Sequence, residues 1–201
     1  MDGTLIDSAV ITVQAFGEVV PACGFVTPPR DSIRAAIGYP NPEFYFRLFP
    51  DSPKAQIQAV GERIEAAEQR ILKENKFPLL FPGCRELLET LCRKGYTLYI
   101  ASTGSHEHVH SLLEAEGVTG LFAAIFCGRH DKADMLAEIV AQSPGGWLMV
   151  GDMEKDSDSA RENGLISVGA CYGHCQREYA SFDYYIDNAL ELLTLLKNGE
   201  L

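Results

Sequence analysis

From residue 79 to its end, the sequence alternates short apolar runs with amphipathic segments. The apolar runs are typical of strands buried on both faces, and the segments between them have the 3.6-residue periodicity of helices. Parallel strands that alternate with helices form a sheet whose two faces are covered by the helices. The pattern therefore predicts an α/β fold with a doubly wound, Rossmann-like parallel sheet. The predicted strands are YTLYIAS, LFAAIFCG, GWLMVGD, LISVGAC and DYYIDN.

The segment 13–78 has a different pattern. It is punctuated by prolines, its apolar residues recur at helical spacing, and no run in it has the character of a strand. Its last third indicates one long helix, with Asp51 or Ser52 as N-cap and Pro53 in the first turn. We therefore expect an inserted all-helical cap domain. The predicted domains are an α/β core, formed by residues 1–12 and 79–201, and a helical cap, formed by residues 13–78.

The composition disfavours several classes of protein. The formal net charge of −11 at pH 7 disfavours binding to nucleic acid or to an anionic membrane, because both need an excess of Lys and Arg. The same charge suits a protein that binds a metal cation. No apolar run has the length of a membrane span. The six cysteines lack C-x-x-C spacing, which predicts reduced thiols and a cytoplasmic location.

Polar residues follow several predicted strands. In an open parallel sheet, ligands bind at the carboxyl ends of the strands. MDGTLIDS at the start of the sequence has the character of a loop that leads into a helix, with Gly3 permitting a tight turn. STGS follows the strand of residues 96–102, and GDMEKD ends another apolar run. These loops are the candidate binding segments.

Four motifs in this order resemble those of the haloacid dehalogenase superfamily of phosphatases. The family motifs are D-x-D-G-T, an apolar strand that ends in Ser or Thr, a Lys, and G-D-x-x-x-D. The matching segments are DGTLIDS at the start, LYIASTGS at 98–105, Lys132 in GRHDKADML, and LMVGDMEKDSDSARENG at 148–164. The helical insertion resembles the subclass I cap of this family. Residues 33–50 and 81–91 are most similar to phosphoglycolate-phosphatase-type members.

The resemblance implies a phosphatase that acts on a small phosphorylated metabolite through an aspartyl-phosphate intermediate. It implies three catalytic residues. Asp2 would be the general acid and base, Ser102 would hydrogen-bond the transferring phosphoryl group, and Lys132 would neutralise its charge.

The resemblance also implies an anion-binding loop and a magnesium site. The backbone N–H groups of Thr103 and Gly104 would bind the substrate at the start of a helix. The Mg²⁺ ligands would be the backbone carbonyl of Asp2 and the carboxylate of Asp152, with Asp156 as a further ligand or a supporting group.

The family nucleophile is the first aspartate of D-x-D-G-T, and Met1 matches the x of that motif. The resemblance therefore implies a nucleophilic aspartate directly before Met1, and we expect the natural polypeptide to begin upstream. The strand that ends in this aspartate is central to the family's sheet. Without it, two interior strands would carry unpaired backbone groups, each costing about 1–3 kcal/mol if buried.

Alternative functions remain open. A sugar-phosphate mutase of the same family would use the same acid and base, whereas the presence of Asp2 disfavours a haloalkanoate dehalogenase. A relative without activity would bind a phosphorylated ligand through Ser102, Lys132 and Asp152 without turnover.

HEHVH at 106–110 matches the H-E-x-x-H pattern of zinc enzymes, but no third ligand follows it. The sequence makes no prediction of the oligomeric state.

Overall fold

The structure is a computed structural model that describes residues 1–142 and 145–199. In these residues, strands and helices alternate from Cys84 to Ala170, as the sequence predicts, and a further strand and helix follow. The strands are β1 (Tyr99–Ser102), β2 (Ala124–Cys127), β3 (Leu148–Gly151), β4 (Ile166–Ala170) and β5 (Tyr184–Ile186). The helices of this part are α5 (Cys84–Arg93), α6 (His106–Ala115), α7 (Lys132–Val140), α8 (Glu154–Glu162) and α9 (Glu191–Asn198).

All of the paired strands are parallel, which confirms the predicted α/β class. They form two separate sheets: β1 pairs with β2, and β4 lies between β3 and β5. Tyr99 lies opposite Ala124 in the first sheet, and Leu148 lies opposite Ile166 in the second. Within the described residues, no strand pairs with both β1 and β3 to join the two sheets.

An apolar cavity of about 370 Å³ is lined by both of these strands. Tyr99, Ile100 and Ala101 of β1 line it together with residues of β3, and Met1 lines it as well. The strands β1 and β3 therefore line the same cavity although no described strand pairs with both. The upstream strand itself stays a prediction.

Four helices lie between residues 9 and 74. The longest, α4, packs against α1, and the Phe16 ring of α1 contacts the rings of Phe44, Tyr45 and Phe49. The predicted boundary after residue 12 lies inside α1, and the division into domains stays a prediction. The helices are α1 (Ala9–Ala22), α2 (Arg30–Ala36), α3 (Glu43–Leu48) and α4 (Lys54–Glu74).

The long helix α4 confirms the expected element, but its predicted start is wrong. Pro53 is the N-cap and lies before the first turn, and its carbonyl accepts from the backbone N–H groups of Gln56 and Ile57. The helix begins without a side-chain cap, so neither Asp51 nor Ser52 has the predicted role. The fixed φ of proline is already suited to a helix start, which makes a separate cap dispensable.

In the two described ranges, every helix is too short or too polar to cross a lipid bilayer.

Candidate active site

A polar cavity of about 330 Å³ lies where the helical segment 9–74 meets the strand ends. Every site residue predicted from the sequence lines this cavity. They are Asp2, Ser102, Thr103, Gly104, Lys132, Asp152 and Asp156. On the opposite side, α4 contributes Glu62, Glu65, Glu68 and Gln69. The cavity is therefore bounded by strand-end residues on one side and by helix carboxylates on the other.

The strands place these residues at one edge. Ser102 is the last residue of β1, and Asp152 directly follows the last residue of β3. Because parallel strands end at the same edge of the fold, the two side chains meet in the cavity. The Ser102 hydroxyl accepts from the Gly104 backbone N–H at 3.2 Å, which shapes the loop that leads into α6.

Lys132 and Asp156 form a buried ion pair at the base of the cavity. Lys132 Nζ donates to Asp156 Oδ1, while Asp156 Oδ2 accepts from the backbone N–H groups of Asp152 at 3.0 Å and Met153 at 3.1 Å. Burial opposes both charges, but Asp156 raises the pKa of Lys132, and Lys132 lowers the pKa of Asp156. In this arrangement Asp156 holds Lys132 and the start of α8. A direct bond from Asp156 to a metal stays a prediction.

Asp152 is held by the opening D-G-T turn. Thr4 Oγ1 donates to Asp152 Oδ1 at 2.6 Å, and Asp152 is 6% exposed. Gly3 has φ +70°, and a Cβ at this position would overlap Asp152 Oδ2. Burial raises the pKa of Asp152, and the negative charge of Asp156 raises it further. A cation bound to Asp152 would offset this unfavourable charge, so the residue fits a metal ligand.

The described side chains can also be searched for a complete metal site. Within residues 1–142 and 145–199, no cluster of three or more His, Cys, Asp or Glu side chains has the geometry to hold a metal ion. Mg²⁺ binding therefore stays a prediction, for which this chain offers the Asp152 carboxylate and the Asp2 carbonyl. In the HEHVH segment, the rings of His106 and His110 stack with centroids 4.0 Å apart.

The middle histidine of that segment is a site residue that the sequence analysis missed. His108 Nε2 lies 2.9 Å from Asp2 Oδ1, and the Asp2 side chain is 10% exposed. Burial opposes ionisation of both groups, but His108 lowers the pKa of Asp2, and the Asp2 carboxylate raises the pKa of His108 to about 9. At neutral pH the two side chains thus form an ion pair in which Nε2–H donates. One sequence signal could have identified His108 as a site residue. It lies three residues after the helix N-cap Ser105, in the first turn that follows a strand end.

The helical segment 9–74 contacts the strand-end loops through the loop between α2 and α3. The Gly38 carbonyl accepts from Thr103 Oγ1 at 3.1 Å and from Lys155 Nζ. The Lys155 ammonium also lies 4.9 Å from the centre of the Tyr39 ring. Burial and the nearby charge of Lys132 together lower the pKa of Lys155 to about 8. These contacts close the cavity over the strand ends.

Comparison with known proteins agrees with this arrangement. The family model described as haloacid dehalogenase-like hydrolase matches residues 1–170. A phosphoglycolate phosphatase from Agrobacterium fabrum is 28% identical over 188 residues, which cover 87% of this chain and 79% of the relative. A phosphoglycolate phosphatase from Synechococcus elongatus is 30% identical over 200 residues, covering 96% of this chain and 92% of the relative.

Solved structures are similar in fold. The crystal structure of a predicted phosphoglycolate phosphatase from Haemophilus somnus matches with a TM-score of 0.87 at 19% identity. The match covers 98% of this chain and 95% of that one.

Proposed function

Because the chain belongs to the haloacid dehalogenase-like hydrolases, we propose that it is a Mg²⁺-dependent phosphatase that hydrolyses a small phosphate monoester. The observation that supports this most is the convergence of Ser102, Lys132, Asp152 and Asp2 on one polar cavity. Phosphate esters repel nucleophiles by their negative charge, so a site for them must supply positioning and positive charge. Lys132 is a buried cation that faces this cavity.

The nucleophile of the proposed reaction is the aspartate that would precede Met1 in D-x-D-G-T. Met1 lines the polar cavity, and its α-nitrogen is close enough to Lys132, Asp152 and Asp156 for their charges to act on it. A residue joined to this nitrogen would lie beside Lys132.

The reaction proceeds in two steps. In the first, the aspartate carboxylate attacks phosphorus, the bond from phosphorus to the ester oxygen breaks, and the proton that the His108–Asp2 pair holds passes through Asp2 to the leaving oxygen. In the second, Asp2 takes a proton from water, which attacks the aspartyl-phosphate and releases inorganic phosphate. Ser102 and the Thr103 and Gly104 backbone hold the phosphoryl oxygens. Mg²⁺, when bound, supplies charge neutralisation on those oxygens.

The substrate is a small phosphorylated metabolite of the phosphoglycolate or sugar-phosphate type. The names of the relatives support phosphoglycolate as the first ester to assay. The cavity of about 330 Å³ suits a small ester. All six cysteines are free thiols, which supports a cytoplasmic location.

The test is phosphate release from phosphoglycolate and from sugar phosphates, with Mg²⁺ and with the metal chelated. We expect turnover that needs the metal, and Asp152→Ala should lower kcat/KM by at least about 10²-fold, as loss of a charge-stabilising group does. Asp158→Ala is the matched control, because Asp158 lies on α8 in an exposed pair with Arg161. Isomerised sugar phosphate as the product would indicate a mutase. Ligand binding without turnover would contradict the proposal and favour an inactive relative.

A further inference from the structure

We propose that His108 is the positioning residue for the Asp2 carboxylate, and that Glu68 of α4 holds His108 in turn. The inference rests on the proposed function, in which Asp2 moves the proton. It assigns a role to two residues outside the four motifs. It also means that the orientation of the acid and base is set partly from the cap side of the cavity.

His108 contacts the Asp2 carboxylate directly. The 2.9 Å separation between Nε2 and Oδ1 is that of a hydrogen bond, and the two residues are 106 positions apart in the sequence. A carboxylate that transfers a proton must point at the reacting oxygen, and a misplacement of about 1 Å can cost about 10²-fold in rate. A hydrogen bond to one carboxylate oxygen fixes the direction of the other.

The turn of α6 that carries His108 is held in place. The side chain of the N-cap Ser105 accepts from the His108 backbone N–H at 3.3 Å, within the first turn of α6. The same helix buries Val109, Leu112 and Leu113 in the core. The imidazole is therefore presented from an anchored turn, which is what a positioning group requires.

A hydrogen bond holds the Glu68 carboxyl group in place. Its Oε1 accepts from Thr12 Oγ1 at 2.6 Å, which fixes the carboxyl group between α1 and α4. Glu68 and His108 line the polar cavity together, and they also line a small neighbouring cavity with Thr12 and Leu112. The helix α4 packs against α6, and the negative charge of Glu68 acts on His108, so that this charge lies near the imidazole.

The test uses variants of the protein, expressed with any residues that precede Met1 in its gene, and two substrates that differ in their leaving group. Protonation of the leaving oxygen matters for an alkyl phosphate such as glycerol phosphate, but hardly for p-nitrophenyl phosphate, because p-nitrophenolate is a stable anion. We measure kcat/KM, which covers the steps up to departure of the alcohol. A residue that only supports the fold would affect both substrates equally.

We expect His108→Ala to lower kcat/KM by about 10²-fold for the alkyl phosphate, the usual size of an acid–base contribution, and by less than about threefold for p-nitrophenyl phosphate. His108→Gln should recover part of the loss, because its side-chain amide can donate to Asp2. Glu68→Gln should give a smaller loss with the same dependence on the leaving group. His106→Ala, on the same helix and stacked on His110, is the matched control and should leave both constants unchanged.

Equal losses on both substrates, or a His108→Ala variant that behaves like His106→Ala, would overturn the proposal. If His108→Ala does not fold, the leaving-group dependence of His108→Gln and Glu68→Gln decides in its place. Asp152→Ala separates the two claims. Full activity in that variant would overturn the proposed function and this inference with it, whereas loss there without a leaving-group effect at His108 would overturn the inference alone.

Discussion

The molecule contains two cavities of similar size and opposite character. The polar cavity has about 330 Å³ and brings together charged side chains from the strand ends and from α4. The apolar cavity has about 370 Å³, and the described residues that line it include no charged side chain. Size therefore does not identify a reaction site. What distinguishes the polar cavity is the set of charges that the fold holds out of bulk water.

Two ion pairs stabilise four of those charges. Lys132 pairs with Asp156, and His108 pairs with Asp2. A buried charge without a partner costs several kcal/mol, so a cavity lined by charges needs such pairs simply to fold. The described side chains that line the apolar cavity carry no charge, so they need no such pairs.

The largest effect is expected at the buried ion pair. Lys132→Met leaves the Asp156 carboxylate buried without its cation, and the free energy of unfolding should fall by about 3–5 kcal/mol. Chemical denaturation measures this. Arg129→Met is the matched control, since it breaks an exposed pair with Glu138 and should cost about 0–1 kcal/mol. Similar losses in the two variants would show that the polar cavity is as well solvated as the surface.

A somewhat smaller effect is expected in the apolar cavity. Leu148 lines it from β3, so Leu148→Ala should lower the free energy of unfolding by about 2–3 kcal/mol and leave kcat/KM within about twofold. Val26→Ala, at a side chain that is 89% exposed, should change stability by less than about 0.5 kcal/mol. A loss at Leu148 no larger than that at Val26 would mean that water fills the apolar cavity.

The smallest effect on stability is expected at the cap wall of the polar cavity. Gly38 has φ +102°, and a Cβ there would overlap the Met153 sulfur, whereas Gly24 has φ +82° and open space around it. Both Gly→Ala variants should lose about 1–2 kcal/mol from backbone strain. Only Gly38→Ala should also reduce kcat/KM, because it displaces the carbonyl that binds Thr103 and Lys155. Steady-state kinetics and thermal unfolding measure the two effects, and equal activity in both variants would contradict this account of the wall.

The elements of the core were predictable because their signals are local. Apolar runs and helical periodicity fix β1 to β5 and the helices between them, and the strand-end motifs place Ser102 and Asp152 at one edge. The start of α4 was mispredicted, because Asp51 and Ser52 are good caps in isolation while Pro53 makes them unnecessary.

The parts of the site that escaped prediction depend on contacts between distant residues. The contact of His108 with Asp2 depends on how α6 leaves the end of β1, which no local pattern encodes. The same holds for Lys155 and the Gly38 carbonyl, which are 117 positions apart. The motif resemblance implied that Asp156 is a further metal ligand or a supporting group, and only the structure shows that Lys132 and two backbone N–H groups engage its oxygens.

The central claim is that the polar cavity holds the transferring phosphoryl group. The most direct measurement is to quench the protein, isolated from its native cells, in acid during turnover of a phosphate ester with Mg²⁺, and to locate the phosphoryl group by peptide mass spectrometry. The account predicts a hydroxylamine-labile phosphoryl group on the aspartate directly before Met1. A phosphoryl group on Ser102 or Asp7, or turnover with no phosphorylated peptide, would contradict it.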